Sequence, residues 1–84
     1  MFEICYAKSV AKDIKYLDVK TVYAIKRKIE SLKNFPDMSN IKRLSAHPLA
    51  DFRLRVGEYR ILFDMDWNKT VIFILKIGYR KDVY

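Results

Sequence analysis

Residues 2–7, FEICYA, alternate, with Phe2, Ile4 and Tyr6 on one side and Glu3, Cys5 and Ala7 on the other, which predicts a short strand. The period then lengthens. Val10, Ile14 and Leu17 are spaced as on one face of a short amphipathic helix over 9–17. Asp18 breaks that helix and can cap a second. Val22, Ile25, Ile29 and Leu32 mark the buried stripe of this longer helix, 19–34. So short a join predicts an antiparallel helical hairpin. The segment NFPDMSN stops the second helix, because Pro36 cannot continue it. IKRLSAHPLA reads as a connection pinned to the core by Ile41 and Leu44.

From residue 51 the period is two. Phe52, Leu54 and Val56 alternate with Arg53 and Arg55, Gly57–Glu58 supplies a two-residue turn of type II′, and 59–66 form the return strand. A second turn follows at DWNK, where Asn68 can take positive φ. TVIFILKI, 70–77, is apolar on both faces, as expected of a strand in the middle of a sheet or under a helix. The order β-α-α-β-β-β predicts an α+β fold, a two-helix hairpin packed on one face of a twisted, mainly antiparallel sheet. One domain spans 1–84, with no linker, repeat or low-complexity segment.

Composition adds a partner class. Seventeen Lys and Arg against ten Asp and Glu leave a net charge of +7, which points to a polyanion, whether nucleic acid or an acidic protein. A single cysteine and a single histidine offer neither a disulfide framework nor a thiolate or imidazole metal cluster, and they fit a reducing, cytoplasmic setting. Cys5 reads as a small core residue, His47 as a surface residue, Tyr6, Tyr16 and Tyr23 as core edge, and Lys26, Arg27 and Lys28 as a solvated helix face. No membrane association is expected, because MFEICYAKSVAKDIKYL has no uninterrupted apolar stretch and no run approaches a membrane span.

The chemistry-bearing pattern lies on the hairpin. Arg53 and Arg55 share one face of a strand, and Arg60 opens the next strand across the turn. The terminal GYRKDVY adds Arg80, Lys81 and Tyr84 in a tail free to fold over the sheet, after a sharp turn at Gly78. Guanidinium groups fork phosphates and aromatic rings stack bases, so this surface suits a nucleic-acid backbone. Alternating arginines are also what a solvated strand face carries to discourage edge pairing.

FRLRVGEYRILFDMD together with VIFILKIGYRKDVY resembles the RelE-type toxins of the RelE/ParE superfamily of toxin–antitoxin modules. The resemblance is close in the C-terminal part of the chain; the β-α-α order and the IKRL segment agree with it less specifically. It implies a metal-independent, cofactor-free endoribonuclease that cuts mRNA in the ribosomal A site, the ribose 2′-OH attacking the adjacent phosphate to leave a 2′,3′-cyclic phosphate. It implies an acidic, RelB-like antitoxin as partner, with operator DNA contacted only through the antitoxin complex. The family's catalytic positions fall on Arg53, Arg55, Arg60, Arg80 and Tyr84, and the RNA contacts implied beside them are Lys42, Arg43, Tyr79 and Lys81.

This chain departs from its relatives in two ways. The paired basic residues are arginines where the best-known member has lysines, and Tyr79 stands where many relatives have histidine. Arginine stays protonated and cannot readily serve as a base. The base is then Tyr84, Tyr79 or a group of the ribosome. Two other functions share the pattern: a ParE-type toxin that poisons DNA gyrase, and a catalytically degenerate member that only binds its antitoxin.

Overall fold

In the computed structural model, which describes residues 2–34 and 41–83, the chain forms β1 (Glu3–Tyr6), α1 (Ser9–Ile14), α2 (Val19–Ser31), a 3-10 turn (Leu32–Asn34), β2 (Ile41–Arg43), β3 (Phe52–Val56), β4 (Tyr59–Asp66), β5 (Val71–Tyr79) and α3 (Arg80–Val83). The five strands make one sheet in the order β1-β5-β4-β3-β2. β1 pairs parallel with β5 and every other neighbour is antiparallel, so the sheet is mixed. The expected β-α-α-β-β-β order is present with two additions. β2 is too short for a period-two signal, and α3 is a single turn. The proline proposed to stop α2, Pro36, lies outside the described residues, as does Tyr84.

Asp18 caps α2 as expected, its carboxylate accepting from the Thr21 amide at 2.8 Å. Ile25, Ile29 and Leu32 are then fully buried against Leu54, Ile61, Phe63, Ile72, Ile74 and Ile77 of the sheet, and Val10 of α1 joins the same core. Each such side chain contributes about 1.5–3 kcal/mol by leaving water. The ring of Trp67, at the second turn, meets Phe2 edge-on at 5.4 Å.

A bulge on β5 sets which face each side chain takes. Ile61 pairs with Ile77 and Leu62 with Lys76, but Phe63 pairs with Ile74, so Leu75 is an extra residue. Strict alternation from Ile74 would aim Lys76 into the core; the bulge instead leaves Ile77 only 3% exposed beneath the helices. Past the end of β1, the free edge of β5 is closed by side chains. Ser9 Oγ donates to the Leu75 carbonyl at 3.3 Å, and the Ile77 amide donates to Asp13 Oδ2 at 3.0 Å.

Several local expectations are corrected. Cys5 is exposed, because it pairs with Phe73 on the face away from the helices, where even Phe73 stays 39% exposed. Tyr16 and Tyr23 project into solvent beyond the core edge. In the second turn the positive φ belongs to Thr70, at 52°, and not to Asn68. Gly78 is not in the left-handed region; its role is to make room, as described next.

Candidate nucleic-acid interface

The face of the sheet away from α1 and α2 carries the basic residues in two cross-strand rows. Lys42, Arg53, Leu62 and Lys76 stand in one, and Arg55, Arg60 and Gly78 in the next. The arginine alternation therefore places Arg53, Arg55 and Arg60 together, as the sequence implied. Gly57, at φ 57°, makes the tight turn between Val56 and Tyr59 that sets Arg55 directly opposite Arg60.

At this end of the hairpin an open groove of about 380 Å³ is lined by Lys28, Arg55, Val56, Gly57, Glu58, Arg60 and Arg80. Among the described residues, four cations thus face one carboxylate. Arg60 forms the floor, only 9% exposed, with Nη1 donating to the carbonyls of Gly57 at 2.9 Å and Tyr59 at 3.1 Å. It is a fixed charge that also staples the turn. The buried Nε atoms of Arg60 and Arg53 have no hydrogen-bond partner among the described residues. Arg80 forms the rim, its Nε 2.9 Å from Glu58 Oε2. Both partners are exposed, so this pair is worth less than about 1 kcal/mol and yields readily to a competing anion.

The tail folds over the open face. Val83 is buried with Ala50 and Leu62, and Leu44 and Leu75 complete this second small core. A Cβ at Gly78 would stand 2.7 Å from Val83 Cγ2, so glycine is what lets α3 lie against β5. The Arg80 amide donates to the Glu58 carbonyl at 2.9 Å, tying the first residue of α3 to the hairpin turn.

Not every expected residue joins the groove. Arg53 and Lys42 share its face one row away, and Lys81 is exposed on α3. Arg43 pairs with Phe52 and Tyr79 with Tyr59, both on the helix side of the sheet. Arg43 lies over the Phe52 ring at 6.0 Å, and the Tyr79 ring meets Tyr59 edge-on at 5.6 Å. Two contributors went unanticipated. Lys28, read as a solvated helix residue, lines the groove. His47, read as a surface residue, is half-buried and faces the Val83 carbonyl. A separate hollow of about 240 Å³ between α1 and α2 is lined mainly by Val10, Ala11, Ile14, Val22, Ile25 and Ile29, and none of the expected site residues borders it.

Comparison with known proteins bears on the fold and the family. A family described as "ParE toxin of type II toxin-antitoxin system, parDE" matches residues 4–84. A protein of Methanocaldococcus jannaschii named "Putative toxin RelE1" is 33% identical over 86 residues, spanning 99% of this chain and 94% of that protein. The toxin in the RelB–RelE antitoxin–toxin complex from Methanococcus jannaschii superposes with a TM-score of 0.73 at 26% identity, covering 94% of this chain and 93% of that one. The Mycobacterium tuberculosis RelBE2 toxin–antitoxin complex gives 0.81 at 22% identity, covering 94% and 98%, a likeness of fold.

Proposed function

The chain belongs to the RelE/ParE superfamily of type II toxin–antitoxin toxins, and on that premise we propose that it is a ribosome-dependent endoribonuclease of the RelE type, acting on mRNA in the A site without a metal. The observation that carries this reading is the convergence of Arg55, Arg60, Arg80 and Lys28 on one groove at the end of the hairpin.

The groove's chemistry suits transfer at a phosphodiester. The 2′-oxygen attacks phosphorus, the bond to the 5′-oxygen breaks, and negative charge grows on the two remaining phosphate oxygens. Arg60 offers that charge a fixed guanidinium that need not reorganise, and Arg55 and Arg80 can fork the oxygens from the rim. None of them can take the 2′-OH proton. Of the tyrosines considered for that task, Tyr79 has its ring on the other side of the sheet. We therefore assign the base to Tyr84, which directly follows the docked Val83, or to a ribosomal group. An antitoxin with an acidic segment would silence the protein by occupying the same cations; the Methanococcus jannaschii relative forms a complex with its own RelB antitoxin.

The matched family's ParE description favours a second reading, poisoning of DNA gyrase. One set of variants separates the two. Arg55→Ala and Arg80→Ala should each lower single-turnover cleavage of ribosome-bound mRNA by about 10²–10³, the scale of losing one transition-state donor. Lys26→Ala, outside the groove, should change it by less than about twofold. Inhibition of gyrase supercoiling with no mRNA cleavage would establish the ParE-type reading instead.

A further inference from the structure

His47 lies in the loop between β2 and β3, and its two ring nitrogens have different partners. Nδ1 accepts from the Leu49 amide at 3.1 Å, so the ring proton sits on Nε2, which faces the Val83 carbonyl at 3.3 Å. That carbonyl ends α3, where no intrahelical amide is available to it.

The loop around His47 is built. The Leu44 amide donates to the Asp51 carbonyl at 2.7 Å and closes it, and the Asp51 amide donates to Asp64 Oδ1 at 2.7 Å, fastening it to β4. Ala46 is held in the left-handed region at φ 59°, a conformation that costs an alanine free energy and that its surroundings must impose. Ala50, from the same loop, packs with Leu62 and Val83. A single helical turn does not persist alone in water, so α3 depends on such outside contacts. At its start it has the Glu58 carbonyl and an exposed ion pair; at its end it has the Val83 side chain and His47.

We infer that His47 is a positioning residue, a clasp that holds the end of α3 on the open face and so keeps α3, which begins at the rim residue Arg80, in place against the arginine groove. Its importance for cleavage rests on the endoribonuclease reading above; the clasp itself does not. His47 would touch no RNA. It acts through the Val83 carbonyl.

The two contacts can be cut separately. Asn at position 47 offers an oxygen near the place of Nδ1, keeping the Leu49 bond but not reaching Val83. Gln offers an amide N–H near the place of Nε2 and can reach Val83. The full chain is followed by amide exchange of Arg80, by the Val83 methyl resonances and by single-turnover cleavage on ribosomes. In His47→Asn the Arg80 amide should exchange about fivefold faster, the scale of one lost hydrogen bond. The Val83 methyl signals should move, and β4 and β5 amides should stay as in wild type. Cleavage should fall at least ~10-fold with ribosome binding unchanged, as expected when a reacting group is misplaced. His47→Gln should recover most of both losses.

Unaltered exchange at Arg80 in His47→Asn would overturn the clasp. So would equal acceleration across β4 and β5, which would mark His47 as a general stabiliser; loosened exchange with undiminished cleavage would overturn its positioning role in catalysis. If wild type itself cuts no RNA, the endoribonuclease reading falls, while the exchange and methyl measurements still decide whether the clasp exists.

Discussion

The carboxylate of Glu58 lies 2.9 Å from Nε of Arg80, while the Glu58 carbonyl accepts the Arg80 amide at the same distance. One residue of the hairpin turn thus fixes the start of α3 through its backbone and holds the rim guanidinium through its side chain. The backbone bond survives substitution; the ion pair does not. Glu58→Gln should therefore leave α3 docked, release Arg80 and remove the one carboxylate among the described residues that line the groove. Ribosome affinity should rise about two- to fivefold at low salt, the scale of an exposed pair, as read by filter binding. Weaker binding would mean that the Glu58 carboxylate aims Arg80 at its target.

Gly78 and Val83 form a second pair that can be broken and repaired. Gly78→Ala puts a methyl 2.7 Å from Val83 Cγ2 and should force α3 off the sheet, costing about 1–3 kcal/mol of stability. Because α3 carries the groove's rim, cleavage should fall more than ~10-fold. Val83→Ala in the same chain should relieve the clash, so the double variant should be more stable than the sum of the single effects by at least ~0.5 kcal/mol. Urea titration of the four proteins checks this; strict additivity would show that the two residues do not press on each other.

The hairpin was legible because period two is a strong signal: alternation, with the Gly57–Glu58 turn, put Arg53, Arg55 and Arg60 on one face and Leu54 and Ile61 on the other, buried one. The α2 stripe and the Asp18 cap were legible for the same reason, since local spacing and capping chemistry decide them. What escaped depends on contacts between distant segments. Nothing in the run Lys26-Arg27-Lys28 marks out the lysine that borders the hairpin groove. The open space at Gly78 is defined by Val83 of α3, and the role of His47 by the same residue. The segment around Leu75 reads as an apolar run because β5 is covered on both faces, by the helices over Ile72, Ile74 and Ile77 and by Val83 beside Leu75, and nothing in such a run marks the extra residue of the bulge. Cys5 reads as core until β1 is known to be an edge strand.

Salt offers an independent check on the groove. Each phosphate neutralised by an arginine releases condensed counterions, so binding to single-stranded RNA or to ribosomes should weaken linearly on a logarithmic salt axis. Arg55→Ala should flatten that slope by about 0.7–0.9. Tyr79→Phe, whose ring lies on the other side of the sheet, should leave it unaltered. A slope insensitive to Arg55 would mean that this arginine only solvates the strand.

The Asp18 cap predicts an acid-side loss of stability. Hydrogen bonds from the Thr21 side chain first, and from its amide second, hold the Asp18 carboxyl below its usual range. A carboxyl lowered in the folded state stabilises above its unfolded value and loses that contribution as pH falls through the folded one. Wild type should therefore lose stability relative to Asp18→Asn as pH falls from above the ordinary aspartate value of 3.8 through the lowered folded one, because asparagine can cap without titrating. Thermal melts of the two proteins across that range decide it; parallel curves would show that the cap does not contribute.

The central claim is cutting of mRNA by the 2′-OH in the presence of ribosomes, and the chemistry of the new 3′ end tests it most directly. Translating ribosomes programmed with a defined mRNA are treated with the purified protein, and the cleaved RNA is recovered and characterised by mass spectrometry. A 2′,3′-cyclic phosphate is expected at the cut, formed when ribosomes are present and absent when the same mRNA is offered alone. The yield should be at least ~100-fold lower with Tyr84→Phe, the loss expected for a general base, if that residue rather than a ribosomal group takes the proton. A 3′-hydroxyl end, or equal cutting of naked and ribosome-bound mRNA, would contradict the central claim.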